Sequence, residues 1–180
     1  MRYPIGRRLF SLAITCSVMS PFIAVAQTST LPRPRFLYSS DFAGNKVLGY
    51  MVNATTGAIK PTAQGAASTH TGPSRVASDK GGYRLYVVNN TSKDLSAYFI
   101  YRNDGSLHPV PESPFPIGEA PTGVAVAPSG KYVYVTTLTS VNSGLSSVYA
   151  FAVESNGSLK RVPGSPFSTV NWAFALTIDP

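Results

Sequence analysis

The stretch NGSLKRVPGSPF, residues 156–167, repeats with small changes an earlier one, DGSLHPVPESPF, residues 104–115. A chain that spells one phrase twice is built from copies of one structural unit, so other shared phrases should recur at a matching interval. Leu37-Tyr38, Leu85-Tyr86 and Val133-Tyr134 stand 48 positions apart each time. The turn glycines Gly57, Gly105 and Gly157 keep that step once and then slip to 52. Pro73 and Pro121 are likewise 48 apart, and Pro128 and Pro180 are 52 apart. A four-residue insertion within TSVNSG, residues 139–144, accounts for the slip, and one unit is 48 residues long.

Within a unit, short runs of Val, Tyr, Phe and Ile alternate with Gly, Asn, Asp and Pro, and no window keeps an apolar 3.6 period over three turns. The pattern predicts strands. The third copy shows four of them: TGVAVA at 122–127, KYVYVTT at 131–137, SSVYAFAV at 146–153 and SLKRVP at 158–163. Asp104-Gly105 and Asn156-Gly157 mark tight hairpins, because glycine accepts the positive φ such turns need. Pro163 and Pro166 suit an outermost strand, where a missing N–H breaks no central ladder. Leu85 to Val88 and Tyr98 to Tyr101 are apolar on both alternating faces, and charged residues make up only 13% of the chain, about half the usual share. Such strands need cover on both sides. Four-stranded antiparallel sheets recurring every 40–50 residues and stacked face to face describe an all-β fold of the propeller type. A two-sheet sandwich is the alternative, but it gives no reason for the repeat. The blade units start near residues 35, 73, 121 and 173.

The amino-terminal stretch reads differently. Residues 1–26 carry Arg2, Arg7 and Arg8 without an acid, then an apolar run from Leu9 to Met19, then Ala24-Val25-Ala26. That is the order of a secretory signal peptide cleaved after Ala26, and the run is too short and too rich in Ser and Thr for a stable membrane span. The expectation is a secreted or periplasmic protein with a linker at 27–34, a partial propeller over 35–180, and no membrane span in the mature chain. Removing the leader takes three of the fifteen Lys and Arg and none of the eight acids, so the net charge falls from +7 to +4. The remaining cations are scattered singly, which excludes a nucleic-acid surface. The single cysteine leaves with the leader. Two histidines without thiolates cannot build a structural zinc site, the acids do not cluster as in a calcium loop, and Gly81–Arg84 has no phosphate-loop spacing. No metal or cofactor is expected.

APSGKYVYV at 127–135, YVVNN at 86–90, the GSL that follows each Asp-Gly or Asn-Gly turn, and Gly72-Pro73 opening an inner strand together resemble the seven-bladed lactonase family typified by 6-phosphogluconolactonase. The resemblance covers roughly residues 35–180 and extends to cell-surface proteins with YVTN repeats. It implies hydrolysis of a sugar-acid lactone, with cations of Gly-Pro-Arg-His inner strands holding the substrate. The matching stretch here is Gly72-Pro73-Ser74-Arg75, and neither Ala120-Pro121-Thr122-Gly123 nor Asn171-Trp172-Ala173-Phe174 offers a cation. Opening a lactone requires a donor for the carbonyl oxygen and a base for water. Arg75 is the candidate donor and His70, in the approach loop, the candidate base. The bland alternatives are a channel-lining Arg75 and an exposed His70, with His108 solvated on an outer strand and Trp172 packing. A non-enzymatic propeller that holds a surface protein or glycan instead of a small-molecule lactone is the other reading of function.

Seven units of 48 need about twice the mature chain, which holds strands two to four of one blade, two full blades and one inner strand, about three blade equivalents. A fragment of that size is expected to be inactive alone. Its open blade faces are expected to favour self-association, for instance two chains joined head to tail in a six-bladed ring.

Overall fold

The computed structural model describes residues 36–138, 145–169 and 172–179. The expected leader with its cleavage site, the linker and the loop 139–144 lie outside the described residues, as do Asn171 and Pro180. The fold is all-β, with three antiparallel sheets that form part of a propeller. The first has three strands: β1 (Phe36–Asp41), β2 (Lys46–Val52) and β3 (Ile59–Ser68). In the second, β4 (Pro73–Ser78), β5 (Arg84–Asn89), β6 (Asp94–Ile100) and β7 (Leu107–Pro109) lie in order, and the short β8 (Phe115–Pro116) also pairs with β6. The third repeats this plan with β9 (Ala120–Val126), β10 (Tyr132–Leu138), β11 (Ser146–Val153), β12 (Leu159–Arg161) and β13 (Phe167–Ser168) on β11.

The duplicated phrase builds the same outer edge twice. Asp104 Oδ1 accepts the Ser106 N–H at 2.9 Å and its hydroxyl at 2.8 Å, and Asn156 Oδ1 accepts the same two groups of Ser158 at 3.0 and 2.9 Å. Further along, Ser113-Pro114 and Ser165-Pro166 are both cis, and each serine hydroxyl takes a β6 or β11 backbone N–H, from Ala97 and from Ala150, at 2.9 Å. The short β8 and β13, absent from the four-strand expectation, follow from this corner, which turns Phe115 and Phe167 back onto the sheet.

Strand register corrects the length of the insertion. Asn89 pairs with Asp94, whereas Thr137, 48 positions on, pairs with Ser147, which lies 53 beyond Asp94. The β10–β11 loop is therefore five residues longer than the β5–β6 turn. One residue is recovered in the outer hairpin, where Ile100 faces Leu107 but Val153 faces Leu159. The two changes sum to the visible slip of four.

The alternation of β5 explains its apolarity on both faces. Leu85 and Val87 pack with Tyr98, Ile100 and Val47 toward the first sheet, while Tyr86 and Val88 pack with Val133, Val135 and Phe151 toward the third. These side chains are nearly inaccessible, and each contributes about 1.5–3 kcal/mol of burial. Close stacking depends on the outer-hairpin glycines. A Cβ at Gly105 would collide with the Phe36 ring and one at Gly157 with the Phe99 ring, and both glycines also hold positive φ. The ring comes from either member of a cross-strand pair: Phe36 opposite Met51 in the first sheet, Phe99 opposite Arg84 in the second.

Segment 172–179, expected as a further inner strand, has no regular secondary structure, since among the described residues no strand pairs with it. It still lies along β9: the Thr122 hydroxyl donates to the Ala173 carbonyl at 2.7 Å. Trp172 stacks on Phe174 with centroids 5.9 Å apart and stays half exposed.

Two equivalent tyrosines are satisfied differently. The Tyr38 hydroxyl donates to the Gly105 carbonyl at 2.8 Å, whereas the Tyr86 hydroxyl is buried without a partner among the described residues. Tyr38→Phe should lower the unfolding free energy by about 1 kcal/mol, and Tyr86→Phe should raise it by about 1–3 kcal/mol, because it removes only a desolvated group. Denaturant melts of the two variants read this sign difference.

Burial pushes both phenols up to about 12, helped by the Asp104 charge at Tyr38 and only partly countered by Arg84 at Tyr86. A phenol that holds its proton more tightly when folded stabilises the protein fully below its unfolded pKa of about 10, and that stability is lost as pH climbs through about 12. The unfolding free energy should therefore fall over this interval, and less steeply in the doubly Phe-substituted protein. Equal slopes would contradict the assignment.

Candidate functional site

The loop 69–72 between β3 and β4, the β5–β6 turn and the approach to β9 meet at one end of the sheets. Thr69 N–H donates to the Asn45 carbonyl and Gly72 N–H to Asn45 Oδ1, each at 3.0 Å, which ties the loop to the first sheet. Asn90 N–H bonds the Gly72 carbonyl at 2.8 Å and Ser92 N–H the Thr71 carbonyl at 3.1 Å, which ties it to the second. Gly72 has φ +71°, and a Cβ there would collide with Thr91, so the position requires glycine. On the far side, Ile117 and Gly118 N–H groups both reach the Lys93 carbonyl, and the Asn90 side chain donates to the Pro121 carbonyl at 2.9 Å.

This double clamp presents His70. Its Nδ1 lies 2.7 Å from Asp94 Oδ2; the imidazole is about half exposed, and the carboxylate is almost wholly buried, with relative accessibilities of 51% and 10%. Asp94 opens β6 and is fixed from behind. Its Oδ1 accepts Asn89 Nδ2 at 2.7 Å, and the same amide donates to Ser96 Oγ at 2.8 Å. The Thr69 hydroxyl closes the circuit within 2.9 Å of Asn89 Oδ1 and 3.0 Å of Ser96 Oγ. Asn89, Asp94 and Ser96 are all buried. A carboxylate on Nδ1 sets the ring's tautomer and orientation, leaving Nε2 to face a bound molecule.

Arg75 lies on β4 opposite Val88, with its side chain exposed and its guanidinium donating to the Ser74 carbonyl at 2.9 Å. Among the described residues no hydrogen bond joins it to His70, so the donor and base named from sequence sit on adjoining pieces of chain without direct contact. His108 stacks on Tyr101 with centroids 4.0 Å apart, exposed on the outer edge. Sequence reasoning missed Asp94 and Asn89 as partners, since neither stands near His70 in the chain. A second polar cluster occupies the same end of the third sheet, where the Thr137 hydroxyl donates to Glu119 Oε2 at 2.6 Å. Nearby, the Tyr149 phenol is pushed up first by burial and then by the Glu119 charge.

Asn89 makes its bonds out of contact with water, so Asn89→Ala should cost roughly 2–3 kcal/mol by leaving Asp94 and Ser96 short of a donor. A chemical melt tests the cost, and loss of the fixed His70 ring orientation would show in the imidazole NMR resonances.

A family model described as "Lactonase, 7-bladed beta-propeller" matches residues 25–170. No curated protein sequence matches. Among solved structures, the chain is similar to a candidate 6-phosphogluconolactonase of Bacteroides fragilis at 19% identity and TM-score 0.61, covering 73% of this chain and 38% of that one. It resembles the periplasmic gluconolactonase of Pseudomonas aeruginosa at 16% identity and TM-score 0.59, covering 73% and 38%. A protein from Lactobacillus plantarum matches at 17% identity and TM-score 0.64, covering 78% and 40%. The chain thus spans about two-fifths of the length of these structures. At such identities the likeness is one of fold.

Proposed function

Since the chain belongs to the seven-bladed β-propeller lactonase family, we propose that it forms part of an exported enzyme that opens a sugar-acid lactone with water activated on a protein base. The observation that carries this reading is the His70–Asp94 pair, held by buried Asn89, Ser96 and Thr69 at one end of the sheets. A buried carboxylate placed behind a half-exposed imidazole is the arrangement a general base needs. His70 Nε2 takes a proton as water adds to the lactone carbonyl. The tetrahedral intermediate then collapses with cleavage of the ring C–O bond, and the departing oxygen receives that proton, leaving a hydroxy acid. Arg75, on the adjoining inner strand, is the donor for the carbonyl oxygen. Export rests on the leader-like residues 1–26.

A second reading, a propeller that binds a surface protein or glycan without chemistry, draws on two observations. The next inner strand, Ala120–Gly123, carries no cation, and the Arg75 guanidinium is turned toward its own backbone.

Hydrolysis of δ-gluconolactone above its spontaneous rate by the whole propeller that contains this chain, followed by acid release at constant pH, separates the two. His70→Gln should lower kcat about 100-fold or more, and Asp94→Asn and Arg75→Ala should each lower kcat/KM at least about tenfold. Variants as active as the parent would remove these residues from the reaction, and a parent with no turnover would favour binding.

A further inference from the structure

We propose a second ligand site, independent of the His70 end, that takes an amphiphilic carboxylate such as a medium-chain fatty acid. A cavity of about 650 Å³ opens between the first two sheets, at their opposite end, where the β2–β3 and β6–β7 hairpins approach each other. Its apolar wall is formed by Phe36, Met51, Val52 and Ile59, with Lys60 and Arg102 among the polar lining and no acid among the described residues. That volume lies within the range of small-molecule pockets, and a lining mostly apolar with a few fixed polar groups is their usual character.

The repeat shows why a hollow exists here. Between the second and third sheets, Phe99 lies on Gly157 with Val110 beside it. In the first sheet the position matching Phe99 is Met51, and the ring that covers Gly105 comes from Phe36 on the neighbouring strand. Moving the ring across the pair leaves Ile59 about half exposed at the cavity edge. The charges differ as well. Lys60 matches His108 in the repeat, and the hairpin 154–158 carries no cation where the other has Arg102.

Arg102 is held in place before any ligand arrives. Its guanidinium lies over the Tyr83 ring at 4.9 Å from the centroid, and one of its nitrogens donates to the Tyr83 hydroxyl at 2.9 Å. Guanidinium groups match carboxylates geometrically, and a preorganised one loses little freedom on binding. An apolar tail against Met51 and Ile59, with its carboxylate between Lys60 and Arg102, satisfies both halves of the lining.

Octanoate and 1-octanol, titrated calorimetrically into the full chain below aggregating concentrations, form the test. Octanoate should bind at least tenfold more tightly than octanol. Lys60→Gln and Arg102→Gln should each weaken octanoate about fivefold or more and leave octanol unchanged. Amide NMR shifts caused by octanoate should be confined to residues 36, 51–60 and 102–103. Lys60 does not contact Tyr83 in the arrangement above, so its variant keeps the test valid if Arg102→Gln disturbs the fold. Equal affinity for the two probes, insensitivity to Lys60→Gln, shifts elsewhere, or no binding because protein already fills the space would each overturn the site.

Discussion

The burial of β5 and β6 from both sides is the constraint on which the remainder of this structure depends. A lone sheet with Leu85 and Val87 on one face and Tyr86 and Val88 on the other cannot be satisfied by water on either. Stacking solves the problem only if backbones come close enough to exclude solvent. The turn glycines make that approach available at the outer edge, where an aromatic ring from one sheet rests on the bare backbone of the next. The inner edge is fixed by polar contacts instead, above all the side-chain bonds of Asn45 and Asn90 to the backbone of neighbouring sheets. The two edges divide the labour: apolar contact sets the spacing, and hydrogen bonding sets the loops.

That division explains why chemistry concentrates at one end. A repeat keeps the residues its architecture needs, and these recur: the Leu-Tyr or Val-Tyr pairs, the turn glycine, the Ser-Pro corner. Positions outside that need vary from copy to copy. Asp94 corresponds in the repeat to Lys46 and to a serine in the third sheet, and Asn89 to Asp41 and Thr137. The hydrogen-bonded circuit around His70 therefore occupies places where the architecture demands no particular side chain.

Much of the architecture was legible because periodicity is a property of the linear sequence. Strand β11 falls at 146–153, as its alternation predicts, and the two-faced apolar runs led directly to stacked sheets. The insertion was misjudged by one residue because a compensating deletion in the outer hairpin is invisible to spacing alone. His70 and Arg75 were visible as candidate chemistry, but Asp94 was not, since it lies 24 positions from His70 and meets it only through the fold. Comparing the copies position by position, and asking where they disagree in charge, would have singled it out. Residues 172–179 suit a strand by pattern and show no regular secondary structure, because a strand is defined by its pairing as well as by its sequence.

The exchange of ring between cross-strand neighbours has a further implication. The pair that supplies Phe36 in one sheet and Phe99 in the next is, in the third, Tyr132 opposite Ala152, with Tyr132 42% exposed. Because either member of the pair can deliver the ring, drift at these two sites is tolerated as long as one aromatic survives. The junction thus stores a choice. Each time the choice differs between successive blades, the seam between them changes shape.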